Sequence, residues 1–149
     1  MQAQMLAPSA VLVLWSVLMV FWMAATRFPA ISKAEKGSIT PKPGIRGQDL
    51  EPALPDKVNW KSHNYTHLME QPTIFYPAVI ILAIMGPAAV DVLLAWVYVA
   101  LRIIHSLWQS LVNTIPVRIG LFTLSSLALA ALAVRAVMAT LFFDPGVAP

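Results

Sequence analysis

The chain has 149 residues, no cysteine, 58% hydrophobic and 11% charged residues and a formal charge of +3, with a mean hydropathy of +0.71. This balance excludes an ordinary soluble domain and indicates an integral membrane protein. The missing cysteines exclude disulfides, thiolate nucleophiles and cysteine metal sites, and the five lysines, confined to Lys33 to Lys61, argue for membrane topology and against nucleic-acid binding.

Leu6 to Thr26 is a run of 21 residues without a charge, which as a helix spans roughly 30 Å, the thickness of the hydrocarbon core. It reads as the first spanning helix. A cleaved signal peptide is the competing reading, but the first 26 residues hold no Lys or Arg and the apolar run is too long. From Pro29 to Asn59 the chain turns polar, with five prolines and three glycines, and shows neither helical nor strand periodicity. This loop is long enough to fold over a site as well as to connect. Arg27 to Lys61 carries seven basic and four acidic residues, whereas the other side holds only the uncharged N-terminus, the Gly86-Pro87 turn with Asp91 nearby, and Asp144. The positive-inside rule therefore makes the loop cytoplasmic and places both termini outside.

The second span is predicted over 61–85. Pro72 cannot donate to the carbonyl of Leu68, and Pro77 frees that of Thr73, so a bend is expected just after Glu70. The third span, 88–113, starts with Asp91 in its first turn, where the helix dipole favours a carboxylate. Asn113 or Thr114 can cap the fourth span, 116–143, and Pro116 suits its first turn. Ser, Ala and Gly at close spacing on that helix permit near approach of neighbouring helices, between subunits among others. The expected fold is all-α: one transmembrane domain over 1–149, a four-helix bundle with a polar loop at 29–59.

Tyr98, Arg102, His105 and Gln109 are spaced i, i+4, i+7 and i+11, one stripe of a helix in an apolar region. An arginine at the centre of a spanning helix costs about 2.5 to 3.5 kcal/mol on insertion scales, so such a residue faces a bundle interior, a partner or a water-filled site. With His67 and Glu70 from the second span and Arg118 from the fourth, these polar groups converge at the cytoplasmic end. A structural reading stands beside the functional one. Arg102 and His105 can form a polar pair satisfied by Glu70 or by backbone carbonyls, and Arg118 can snorkel to the headgroups. His63, His67 and Glu70 have the spacing of helical metal ligands but lack the glutamate beside the first histidine, and no metal is expected. The five tryptophans read as interfacial or packing aromatics, and Arg135 either pairs with Asp91 or snorkels.

Two segments, HNYTHLMEQPTIFYP and RIIHSLWQSLVNTIPVR, in the order of four helices with a long loop after the first, resemble the membrane-associated proteins in eicosanoid and glutathione metabolism, the MAPEG family. The likeness covers the chain from Lys61 onward and is nearest to bacterial members. It rests most on Arg102, His105 and Ser106 followed by Pro116 and Arg118. The resemblance implies a homotrimer in the bacterial inner (plasma) membrane, with glutathione bound between subunits at sites open to the cytoplasm. It also implies glutathione conjugation to a lipophilic electrophile, or peroxide reduction, the work of a membrane-bound transferase or peroxidase.

Carried over by position, the resemblance makes Glu70 the ligand of the glutathione amino group and Arg102 and Arg118 contacts for its carboxylates or thiolate. His105 then supports the pocket, with His67 and Gln109 lining it. Arg118 and Ser106 are the candidates beside the sulfur. The chain departs from the pattern of glutathione-active members at four positions: His67 replaces an asparagine, His63 and Tyr65 replace an arginine and a histidine, and Gln109 replaces a tyrosine, which argues against a tyrosine-assisted mechanism. Two other readings remain open: a lipid-binding or scaffold protein of the same fold without catalysis, and a small transporter. The second fits less well, because transport sites sit at mid-membrane beside broken helices.

Overall fold

In lipid no water is present to bond backbone amides, so an apolar chain must satisfy them within its own segments, and helices do so. The computed structural model describes residues 1–35, 37–39 and 42–143; Asp144 lies outside them. Five α-helices follow in order: α1 (Gln2–Lys33), α2 (Asp56–Glu70), α3 (Pro72–Met85), α4 (Ala89–Leu111) and α5 (Ile115–Leu141). Helices α2 and α3 run on as one span, so four stretches are long and apolar enough to cross a membrane. Helix α1 packs on α2, α3 and α4, and α5 packs on α3 and α4. The side chains filling the middle include Leu12, Leu68, Phe75, Val79, Tyr98 and Leu132, all buried, with the Phe75 and Tyr98 rings stacked at 4.3 Å. Outward, α1 and α5 present leucine, valine, isoleucine and phenylalanine, a surface that suits hydrocarbon and not water.

Several element boundaries differ from the sequence expectation. Helix α1 does not stop at Thr26 but continues through Pro29 to Lys33. Pro29 removes only one helix donor, and at 32 residues the helix is roughly 48 Å long, so it outruns the hydrocarbon core. The loop over 29–59 is not without helix: Gly47–Ala53 forms a 3-10 segment started by the Asp49 carboxylate, which accepts from the Arg46 amide at 2.8 Å. Such short segments leave no periodic pattern to read. Helix α2 begins at Asp56, ahead of the expected 61, with that carboxylate in its first turn, where the dipole favours it.

Just after Glu70, in place of the expected bend, the structure has an interrupted hydrogen-bond ladder at Gln71. Its φ of −62° and ψ of −39° stay helical, so the chain keeps its course while the hydrogen-bond ladder is interrupted. The Ile74 amide turns to the Gln71 carbonyl at 3.1 Å, and the Thr73 hydroxyl donates to the Glu70 carbonyl at 2.6 Å. Helix α4 stops at Leu111 because Asn113 adopts a left-handed φ of 61°. The amides of Val112 and Asn113 both donate to the Trp108 carbonyl, at 2.9 and 2.8 Å, and Pro116 opens α5. Thr114 takes the N-cap place, but its hydroxyl accepts from Trp108 Nε1 at 3.0 Å and caps nothing.

At the opposite end Asp91 is buried, accepts from the Ala88 amide at 2.8 Å and is gripped by the guanidinium of Arg135. Of the two fates the sequence allowed Arg135, pairing is the one realised. Asp91 holds two partners, whereas Arg135 is 38% exposed and can relax toward the headgroups when its partner is lost. Asp91→Ala is therefore expected to lower stability by about 1 to 2 kcal/mol, the sum of a helix cap and a half-exposed ion pair. Arg135→Ala should cost more, because it leaves the buried Asp91 carboxylate without a counter-charge. Thermal melts in detergent check the order of the two variants.

Candidate functional site

Helix α4 turns its polar stripe inward. Tyr98 and Arg102 are 0% exposed, His105 2% and Gln109 3%, so all four face the bundle and none faces lipid. The Arg102 guanidinium reaches α2, where Nη2 donates to the His67 carbonyl at 2.9 Å and lies 3.3 Å from His67 Nδ1. Among the described residues its Nε and Nη1 have no hydrogen-bond partner. Glu70 forms no ion pair with it: that carboxylate is 61% exposed and, among the described residues, lies 4.0 Å from His67 Nε2. Of the two structural partners the sequence offered Arg102, the backbone carbonyl is the one used. The His67 and His105 rings stack at 5.0 Å and 23°, and Phe122 of α5 leans on both at 5.3 and 6.4 Å.

Arg118 stands in the first turn of α5 and is oriented by the preceding turn, where Asn113 Oδ1 accepts from its Nη1 at 2.8 Å. The left-handed backbone at Asn113 sets that carbonyl oxygen in place. Arg118 faces two adjoining clefts. One, of about 550 Å³, is polar and is lined by His63, His67, Glu70, Gln109 and Arg118 together with Ser62 and Thr66 of α2 and Gln48 and Glu51 of the 3-10 segment. The other, of about 370 Å³, is walled by Ile115, Ile119 and Phe122 and shares His67 and Arg118 with the first, with His105 behind them. A larger cavity, about 660 Å³ between the end of α1 and Pro52–Pro55, contains none of the predicted site residues.

The predicted residues thus separate. His67, Glu70, Gln109 and Arg118 line the polar cleft, His105 the apolar one, and Arg102 lies behind His67. Ser106 lines neither cleft. It is fully buried, and its hydroxyl oxygen accepts from Trp15 Nε1 at 3.0 Å and from Asn64 Nδ2 at 2.8 Å, joining α1, α2 and α4. Its place on the helix, i+4 from Arg102, fixed only its neighbourhood, and Trp15, read as an interfacial or packing residue, is its hydrogen-bond partner. The metal-like spacing on α2 is divided as well, since His63 Nε2 pairs with Glu51 Oε1 at 3.0 Å.

The loop residues that reach the cleft had no sequence signal of their own. Arg27, almost fully buried, donates to the Gly47 carbonyl and, at 2.6 Å, to Ser62 Oγ. Asn59 Nδ2 donates to the Glu51 carbonyl at 2.9 Å. These contacts strap the 3-10 segment to α2 and bring Gln48 and Glu51 to the cleft edge. The only hint in the sequence was Arg27 closing an otherwise uncharged run.

Four apolar spans, with the ionisable residues gathered at the bundle ends and along one inward stripe, define an integral multi-pass membrane protein. The MAPEG family profile matches residues 5–138, and the chain belongs to that family. No curated protein and no solved structure matches it.

If Arg27 anchors the strap, Arg27→Ala removes two charge-assisted hydrogen bonds, each worth about 1.5 to 3 kcal/mol when well formed. Local opening then rises roughly tenfold or more, and limited trypsin cleavage after Arg46 and Lys57 accelerates accordingly. An unchanged cleavage rate would show that the strap is held by something else.

Proposed function

We propose that the polar cleft binds glutathione and that the protein joins it to a lipophilic electrophile, or uses it to reduce a lipophilic peroxide. The observation that supports this most is the junction of the two clefts: a polar one and an apolar one share His67 and Arg118 as their common wall. A water-soluble thiol and a lipid-soluble partner can meet at such a boundary. Membership of the MAPEG family points the same way.

In this reading Glu70 takes the ammonium group of glutathione, and Arg118 takes a carboxylate or the sulfur. Gln109 and His67 supply further hydrogen bonds. Arg118 and, behind His67, Arg102 set a positive potential that favours thiolate over thiol. In conjugation the thiol proton leaves to water, a carbon–sulfur bond forms, and the electrophile either expels a leaving group with its electron pair or takes a proton at the adjacent carbon. In peroxide reduction the thiolate attacks one peroxide oxygen, the O–O bond breaks and the departing alkoxide takes a proton from water; a second glutathione thiol then displaces water from the sulfenic acid so formed, giving the disulfide. In this reading Ser106 has no part in either, because it is fully buried and lines neither cleft. The charge pattern supports a cytoplasmic opening for the cleft, and in this reading three copies of the chain surround such sites in lipid.

Arg118→Ala is expected to weaken glutathione binding at least roughly tenfold, the loss of one charged contact, and to abolish the thiolate absorbance of the bound peptide. Native mass spectrometry of the purified protein, with and without glutathione, reads subunit number and ligand together. A co-purifying lipid with no uptake of glutathione would replace this function with a lipid-binding or scaffold role.

A further inference from the structure

We propose that Arg102 is a positioning residue that acts through His67, fixing its imidazole as the Nε2–H tautomer so that a neutral N–H donor faces the sulfur of the bound thiol. The sulfur contact rests on the glutathione reading above; the tautomer does not.

A guanidinium carries donors only. Arg102 Nη2, 2.9 Å from the His67 carbonyl and 3.3 Å from Nδ1, has two hydrogens and can serve both acceptors. Nδ1 then presents its lone pair, and the ring proton resides on Nε2. Both partners are held in place. Arg102 is fully buried, and the His67 ring is stacked on His105 and flanked by Phe122. Grip on the backbone carbonyl and on the ring nitrogen of one residue also fixes the side-chain rotamer. Nε2 looks toward Glu70, but 4.0 Å exceeds a hydrogen bond, so the donor is left to the cleft.

The place of the sulfur follows from the walls. His67 and Arg118 are the residues shared by the polar and apolar clefts, and a thiol held in the first can meet a lipophilic partner in the second only beside them. An N–H donor and a guanidinium at that boundary both favour the anionic form of sulfur.

Protein labelled with ¹⁵N-histidine tests the tautomer directly. The chain has three histidines, and His63→Gln and His67→Gln assign the signals. The expected spectrum of the native protein has His67 protonated at Nε2 and bare at Nδ1; Arg102→Met, if it folds, spreads the ring over both tautomers. A proton on Nδ1 in the native protein overturns the proposal, as does an unchanged tautomer in folded Arg102→Met. The sulfur contact is read from the thiolate absorbance of bound glutathione at one fixed pH. His67→Phe, which keeps a ring but no donor, should lower the thiolate-to-thiol ratio roughly tenfold, the worth of one lost hydrogen bond. His67→Gln, which keeps a donor, should retain most of it. Equal ratios in the two variants overturn the sulfur contact. Native protein that shows the stated tautomer but binds no glutathione overturns the proposed function and leaves the action of Arg102 on His67 standing.

Discussion

A full positive charge at zero exposure, Arg102 in the heart of a lipid-facing bundle, is the constraint to which the surrounding residues answer. No carboxylate pairs with it among the described residues, so the chain must meet it with dipoles. Helix α2 supplies a backbone carbonyl and an imidazole nitrogen from the same residue, His67. A carbonyl has two lone pairs and can accept a guanidinium while keeping its place in a helix. That demand fixes the depth of α2 against α4, and with it the position of every cleft residue on α2.

The same depth sets a second polar junction. Ser106, one turn beyond Arg102, meets Asn64 of α2 and Trp15 of α1, and three helices are thereby tied at one level. Apolar packing alone offers little preference between helix–helix and helix–lipid contact, since both are hydrocarbon. Hydrogen bonds among buried side chains give the bundle its register. The two ends then differ in character. Asp91 and Arg135 close one end as a structural pair. At the other end, Arg118, His67 and Glu70 face an open cleft, whose edge includes residues of a strap that Arg27 anchors.

Most of the bundle could be read before any coordinate. Four apolar runs, the break at Pro72, the carboxylate in the first turn of α4 and the proline opening α5 each follow from local rules: span length, a missing amide, a helix dipole. The inward stripe was equally legible, because ionisable groups at helical spacing in an apolar segment have few places to go. The extension of α1 past Pro29 and the 3-10 segment were not legible. A proline marks one lost donor without saying whether the helix resumes, and a single short turn carries no period.

Sequence by itself determined the fold class, the family and the face on which α4 carries its polar groups, since these depend on residue type and on spacing along one helix. Only the tertiary structure decided which of those groups reach a cleft. It set Arg102 behind His67, engaged Ser106 with Trp15 and Asn64, left Glu70 apart from Arg102 and brought Glu51 to the cleft edge. Each of those outcomes depends on the relative depth and rotation of two or more helices. Spacing within one segment fixes a direction around its own axis, and the partner that lies in that direction belongs to another segment.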